Sequence, residues 1–142
     1  MKTFAWIGSI ATCAVALSIY AGAAARGERK MENRVFEMRT YYAAPGKMAD
    51  LNARFRDHTC KLFEKHGMTI IGFWNPVKEE DAQKKLFYIL AYPSQEDREK
   101  AWKAFQADPD WKKARTESEK NGKLVDKVES VMMAPTDYSA MH

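Results

Sequence analysis

Cysteine is almost missing from this 142-residue chain, and its scarcity removes several chemistries together. Of the two cysteines, Cys13 falls in an N-terminal apolar run, so Cys60 stands alone in everything that follows and no intrachain disulfide can close there. Histidine is nearly as rare, with His58 and His66 joined only by the terminal His142. On one helix His58 and His66 sit about 12 Å apart, too far for a common tetrahedral site. Cys60 lies on the opposite side of that helix from His58, so no metal centre is expected. There is no glycine-rich phosphate loop, nucleophile elbow or paired-carboxylate constellation, and no internal repeat or low-complexity tract. Charge of one sign is not concentrated either: Lys78-Glu79-Glu80-Asp81 is followed by Lys84-Lys85. Such alternation offers no stripe to track phosphates, which excludes nucleic acid as a partner.

The chain opens with Lys2 and an uncharged run over residues 4–25 that ends in Ala21, Gly22, Ala23, Ala24 and Ala25. Residues 1–25 read as a secretory signal peptide cut near Ala23 or Ala25, which implies a periplasmic or secreted product. The alternative is an uncleaved leader. Its run is just long enough to span a bilayer, and it would leave the protein anchored to the membrane by its N-terminus. Residues 26–33 are polar and serve as a linker. Removing residues 1–25 leaves 117 residues (142 minus 25), with 22 Lys+Arg against 19 Asp+Glu and a net charge of +3. That is one domain, over residues 34–139, with a single modest core.

Within it, residues 35–43 read as a strand, broken by Pro45-Gly46. A helix over residues 47–66 places Met48, Leu51, Phe55 and Leu62 on one stripe, and Gly67 closes it in a left-handed cap. Residues 68–74 and 86–92 are strands, stopped by Asn75-Pro76 and Pro93, with a polar loop over residues 78–85 between them. Ser94 and Asp97 start the next helix in capping-box fashion, burying Ala101, Trp102 and Phe105. Asp108 caps the following helix, Pro109 takes its first position, and Asn121-Gly122 ends it. A last strand spans about residues 126–133. Strand, helix, strand, strand, helix, strand is the split βαβ order of a ferredoxin-like α+β fold. The second and third strands are apolar on both faces, more than one helix layer can cover, and a second copy of the chain is the simplest cover. Two sheets so packed make a homodimeric α/β barrel.

Several short motifs point the same way. Phe36-Glu37-Met38-Arg39-Thr40-Tyr41 resembles the opening strand of NIPSNAP domains, and His66-Gly67 after an amphipathic helix is similar to their next landmark. Trp102, Phe105, Asp108-Pro109, Trp111 and Pro135-Thr136-Asp137-Tyr138-Ser139 resemble the closing half, so the likeness runs over about residues 34–139. The resemblance implies a dimeric α+β barrel, in a superfamily that also holds antibiotic-biosynthesis monooxygenases and haem-degrading enzymes. It implies no reaction.

Candidate site residues follow from position. His58 falls on the border of the helix stripe, where it either hydrogen-bonds at the core edge or lines a cavity between helix and sheet as a general base, haem ligand or substrate partner. His66, in the last helical turn, is structural. Glu37 and Arg39 share a face of the first strand with Tyr41. They are read either as a cross-strand ion pair with Lys127 or Glu129, or as ligand-binding groups beside Tyr41. Trp74 is a core residue or a pocket wall. The primary expectation is a homodimeric barrel that binds a small apolar ligand through His58, Glu37, Arg39, Tyr41 and Trp74, with no catalysis assigned and no cofactor. A cofactor-independent oxygenase or haem-handling enzyme using His58 is one alternative, and a non-catalytic interaction module is another.

Overall fold

Four strands form one antiparallel sheet in the order β2-β3-β1-β4, from β1 (Val35–Ala43), β2 (Thr69–Trp74), β3 (Lys85–Tyr92) and β4 (Val125–Met133). The computed structural model describes residues 34–141; the leader, its cleavage site and the linker, expected over residues 1–33, lie outside them. Helices α1 (Met48–Arg54) and α2 (Cys60–Lys65) follow β1, the single turn α3 (Glu79–Ala82) lies between β2 and β3, and α4 (Gln95–Ala107) and α5 (Pro109–Ser118) precede β4. This is the α+β, ferredoxin-like arrangement expected from the order of apolar segments. Among the described residues no helix is long and apolar enough to cross a membrane.

The punctuation residues act as their chemistry predicts. Ser94 accepts the Asp97 backbone N–H at 3.1 Å, and Asp108 accepts that of Asp110 at 2.8 Å with Pro109 opening α5. Gly67 takes φ of +76°, which lets its own N–H reach Glu64 O and that of Met68 reach Phe63 O, a Schellman closure with Phe63 and Met68 both buried. The polar stretch before β3 contains α3, whose amides fold back on Lys78 O; its run of charges masks so short a helix in the sequence.

The long helix is not regular. Between α1 and α2 lies a π-helical turn, Phe55–Thr59, with the Cys60 N–H reaching back to Phe55 O and the Thr59 hydroxyl donating to Arg54 O at 3.2 Å. A π turn inserts one residue into the helical repeat, so everything beyond it is set back by about 100° relative to a uniform wheel. Thr59 therefore points inward and is buried, whereas His58 is carried outward and is exposed.

Register divides the sheet into two faces. Glu37, Arg39 and Tyr41 stand opposite Leu90, Tyr88 and Leu86, under the helices. Tyr88 and Leu90 are fully buried there, beside Leu51, Phe55, Phe63 and Phe105. The other face carries Met38, Phe87, Ile89, Val131 and Trp74, the last two about half exposed. At one end of it Phe36 and Ile89 line a cavity together with Pro135, Ser139 and Met141. A bulge between Ile70 and Gly72 turns β2, and Trp74 folds back over Gly72 so closely that a Cβ there would stand 2.7 Å from its ring.

Candidate functional site

β1 is a central strand, so any charge on its helix-facing side must be fully partnered. Glu37 is completely buried and accepts from five side chains. Arg98 of α4 donates through Nη2 at 2.7 Å and Nε at 3.1 Å, and Arg39 through Nη1 at 2.8 Å. Ser130 of β4 donates at 2.7 Å, the Trp102 indole at 2.8 Å and the Tyr92 hydroxyl at 3.0 Å. Burial alone would push this carboxyl up, but the hydrogen bonds from Arg98, Ser130 and Trp102, with the Arg39 charge, outweigh it and hold Glu37 down at about 2. Tyr92 is pushed above its usual value by burial and by the Glu37 charge. Glu37 is therefore held in its anionic form at neutral pH, and its hydrogen bonds fix Arg39 and Trp102 in place.

Arg39 lies over the Trp102 ring, its guanidinium carbon 4.3 Å from the centroid, and 5.7 Å from that of Tyr41. From this floor a cavity of about 840 Å³ rises between β1, β4 and the helices. Tyr41, Trp102, Phe105 and Trp111 give it aromatic walls. Arg54 reaches it from α1, 5.4 Å from the Trp111 ring, and is anchored to Glu119 at 3.0 Å and Ser118 at 3.4 Å. Arg54 is almost fully buried, and the Nε atoms of both Arg39 and Arg54 are buried with no hydrogen-bond partner among the described residues.

The model of the NIPSNAP family matches residues 36–140. This chain belongs to the NIPSNAP family. Among solved structures, a NIPSNAP family protein from Agrobacterium tumefaciens superposes with a TM-score of 0.68 at 19% identity, over 78% of this chain and 100% of that one. A NIPSNAP-like domain protein from Burkholderia xenovorans gives 0.65 at 16% identity, covering 75% and 89%. SnoaB, a cofactor-independent oxygenase from Streptomyces nogalater, gives 0.51 at 14% identity, covering 76% and 98%, a likeness of fold alone. No protein of curated function matches the chain.

In this NIPSNAP chain the sequence-derived candidates separate. Glu37, Arg39 and Tyr41 come together: Arg39 and Tyr41 line the cavity while Glu37 lies beneath. The ion pair of Glu37 is not the cross-strand one expected. Lys127 and Glu129 pair with each other beside Tyr42, on the opposite sheet face, because the register sets Met132 and Ser130 across from Glu37 and Arg39. Trp74 joins neither group; it stands on the far face of the sheet. His58 lines a separate shallow cleft with Asp50, Arg54, Asp57 and the end of α5. That cleft is walled by acids, Lys120 and Asn121, and it does not fit the apolar disc of a haem. His66 instead ties α2 to α5, its Nε2 lying 2.7 Å from Asp108 Oδ2, with Lys65 at 2.8 Å. Hydrogen bonding from Lys65, then from His66 and the Asp110 backbone N–H, holds the Asp108 carboxyl well below the usual range. Among the described residues no cluster of His, Cys, Asp or Glu has metal-holding geometry. Arg54, Arg98 and Arg115 were not singled out by the sequence. The one available signal is an arginine three residues after Leu51, at the edge of the apolar stripe.

Proposed function

We propose that this NIPSNAP chain works as an exported homodimer that binds a small, largely apolar molecule in the cavity between β1 and the α4–α5 pair. One observation carries the binding half: Tyr41, Trp102, Phe105 and Trp111 turn aromatic surface towards a single space of about 840 Å³, within the range of small-molecule sites. Half-exposed Trp74 and Val131, on the sheet face opposite the described helix layer, support the dimer, since such a face needs apolar cover. Catalysis is not part of this reading, because the fold alone carries no reaction.

Calorimetric titration with naphthalene-class probes, neutral and charged together, tests the binding. Saturable binding of at least one probe, weakened in Trp111→Ala, is the expected result, and no saturation by any member of the set would refute it. Light scattering tests the dimer, and a stable monomer at micromolar concentration would end that half of the proposal. Intact mass of exported protein tests the leader, expected to be cut near Ala23 or Ala25.

A further inference from the structure

The arginines around the cavity outnumber the carboxylates that hold them. Arg39 and Arg98 share the single carboxylate of Glu37, and Arg54 and Arg115 share that of Glu119. Each trio retains one positive charge, and Arg39 from the first and Arg54 and Arg115 from the second line the cavity. Lys112, an exposed residue that also lines the cavity, adds a further cation with no acidic partner among the described residues. Uncompensated charge in a half-enclosed, aromatic-walled space is costly unless an anion completes it. The two guanidiniums are also already fixed. Arg39 is stacked on Trp102 and tied to Glu37, and Arg54 is packed by Trp111 and tied to Glu119, so little side-chain entropy remains to be lost when a ligand arrives.

Resting on the cavity reading above, we infer that the ligand is an anion: a flat, largely apolar molecule carrying a carboxylate, its acid group set between Arg39 and Arg54 and its rings against Trp102 and Trp111. A planar guanidinium matches a carboxylate with two parallel N–H donors, and the indole faces match a flat apolar body. A cation of the same shape would meet two like charges.

The test uses the protein as purified from its host and three probes: naphthalene-2-carboxylate, its neutral isostere 2-naphthamide, and inorganic phosphate. In calorimetry the carboxylate is expected to bind at least about tenfold tighter than the amide, the scale of one charge-assisted hydrogen bond. That preference should shrink as salt is raised and disappear in Arg54→Gln. Because Arg54→Gln also removes a partner of Glu119, circular dichroism accompanies it. The doubly substituted Lys112→Gln, Arg115→Gln chain, altered only at exposed side chains, should fold normally and lose a few-fold of the preference. Equal affinity for carboxylate and amide would overturn the anion inference and leave the cavity reading standing. Binding of neither naphthalene would bring down both. Phosphate competing as well as the naphthoate would show an anion hole indifferent to its aromatic walls, which contradicts the flat apolar half of the inference.

Discussion

Arg98 of α4 grips Glu37 of β1 with two nitrogens at once, Nη2 at 2.7 Å and Nε at 3.1 Å. This fork fixes the helix layer on the sheet and, through Arg39 and Trp102, shapes the cavity floor. Its energetics are those of a buried ion group, in which removing one partner costs far more than the intact group contributes.

Glu37→Gln should therefore destabilise the fold by about 3–5 kcal/mol, because Arg39 and Arg98 are left without their shared carboxylate. Urea unfolding measures this directly. A loss below about 1 kcal/mol would mean that the guanidiniums find other partners with ease.

Acid should act through the same group. The folded carboxyl of Glu37 is held at about 2 against 4.5 unperturbed, so between those values the unfolded chain binds the proton more readily. The contribution is fully present above pH 4.5, falls as pH drops, and is gone below about pH 2. Asp108 is shifted in the same direction and adds to the same acid slope. Thermal melts from pH 7 to pH 2 should show the midpoint falling on the acid side, and a flat profile would contradict the hydrogen-bonded state of Glu37.

His58→Ala should change stability by no more than about 0.5 kcal/mol, as expected of an exposed side chain away from caps and networks. It should also leave the binding of aromatic probes unchanged. A large drop in probe affinity would return the imidazole to the site.

Gly72→Ala should push the Trp74 ring aside, since the added methyl carbon would stand 2.7 Å from it. Trp74 is half exposed and free to swing outward, so the expected cost is under about 1 kcal/mol. A change in the Trp74 near-ultraviolet signal should accompany it, and an unchanged signal would mean the ring does not rest on the glycine.

The fold is legible in the sequence because its punctuation is local. Ser94, Asp108-Pro109 and Gly67 each act within a few residues, and the ends of β1 follow from Pro45-Gly46 and the alternation before it. The site is less legible because it depends on register. Whether Glu37 faces Ser130 or Lys127 is a question of parity between strands some ninety residues apart, and no local pattern answers it. His58 shows the same limit in a helix. A uniform wheel puts it on the stripe border, and one π turn moves it to solvent and gives Thr59 the inner place.

That turn also makes chain length a variable separate from residue identity. Arg56, Asp57 and His58 are all exposed and sit where the helix holds one residue more than its two buried ends require. Deleting any one of the three would let α1 and α2 join as a continuous α-helix while Leu51, Phe55, Leu62 and Phe63 kept their inward bearings. A chain shortened here by one residue would then be an alternative winding of one helix around the same core, and the cavity-facing Arg54, on the N-terminal side of the turn, would stay where it is in both.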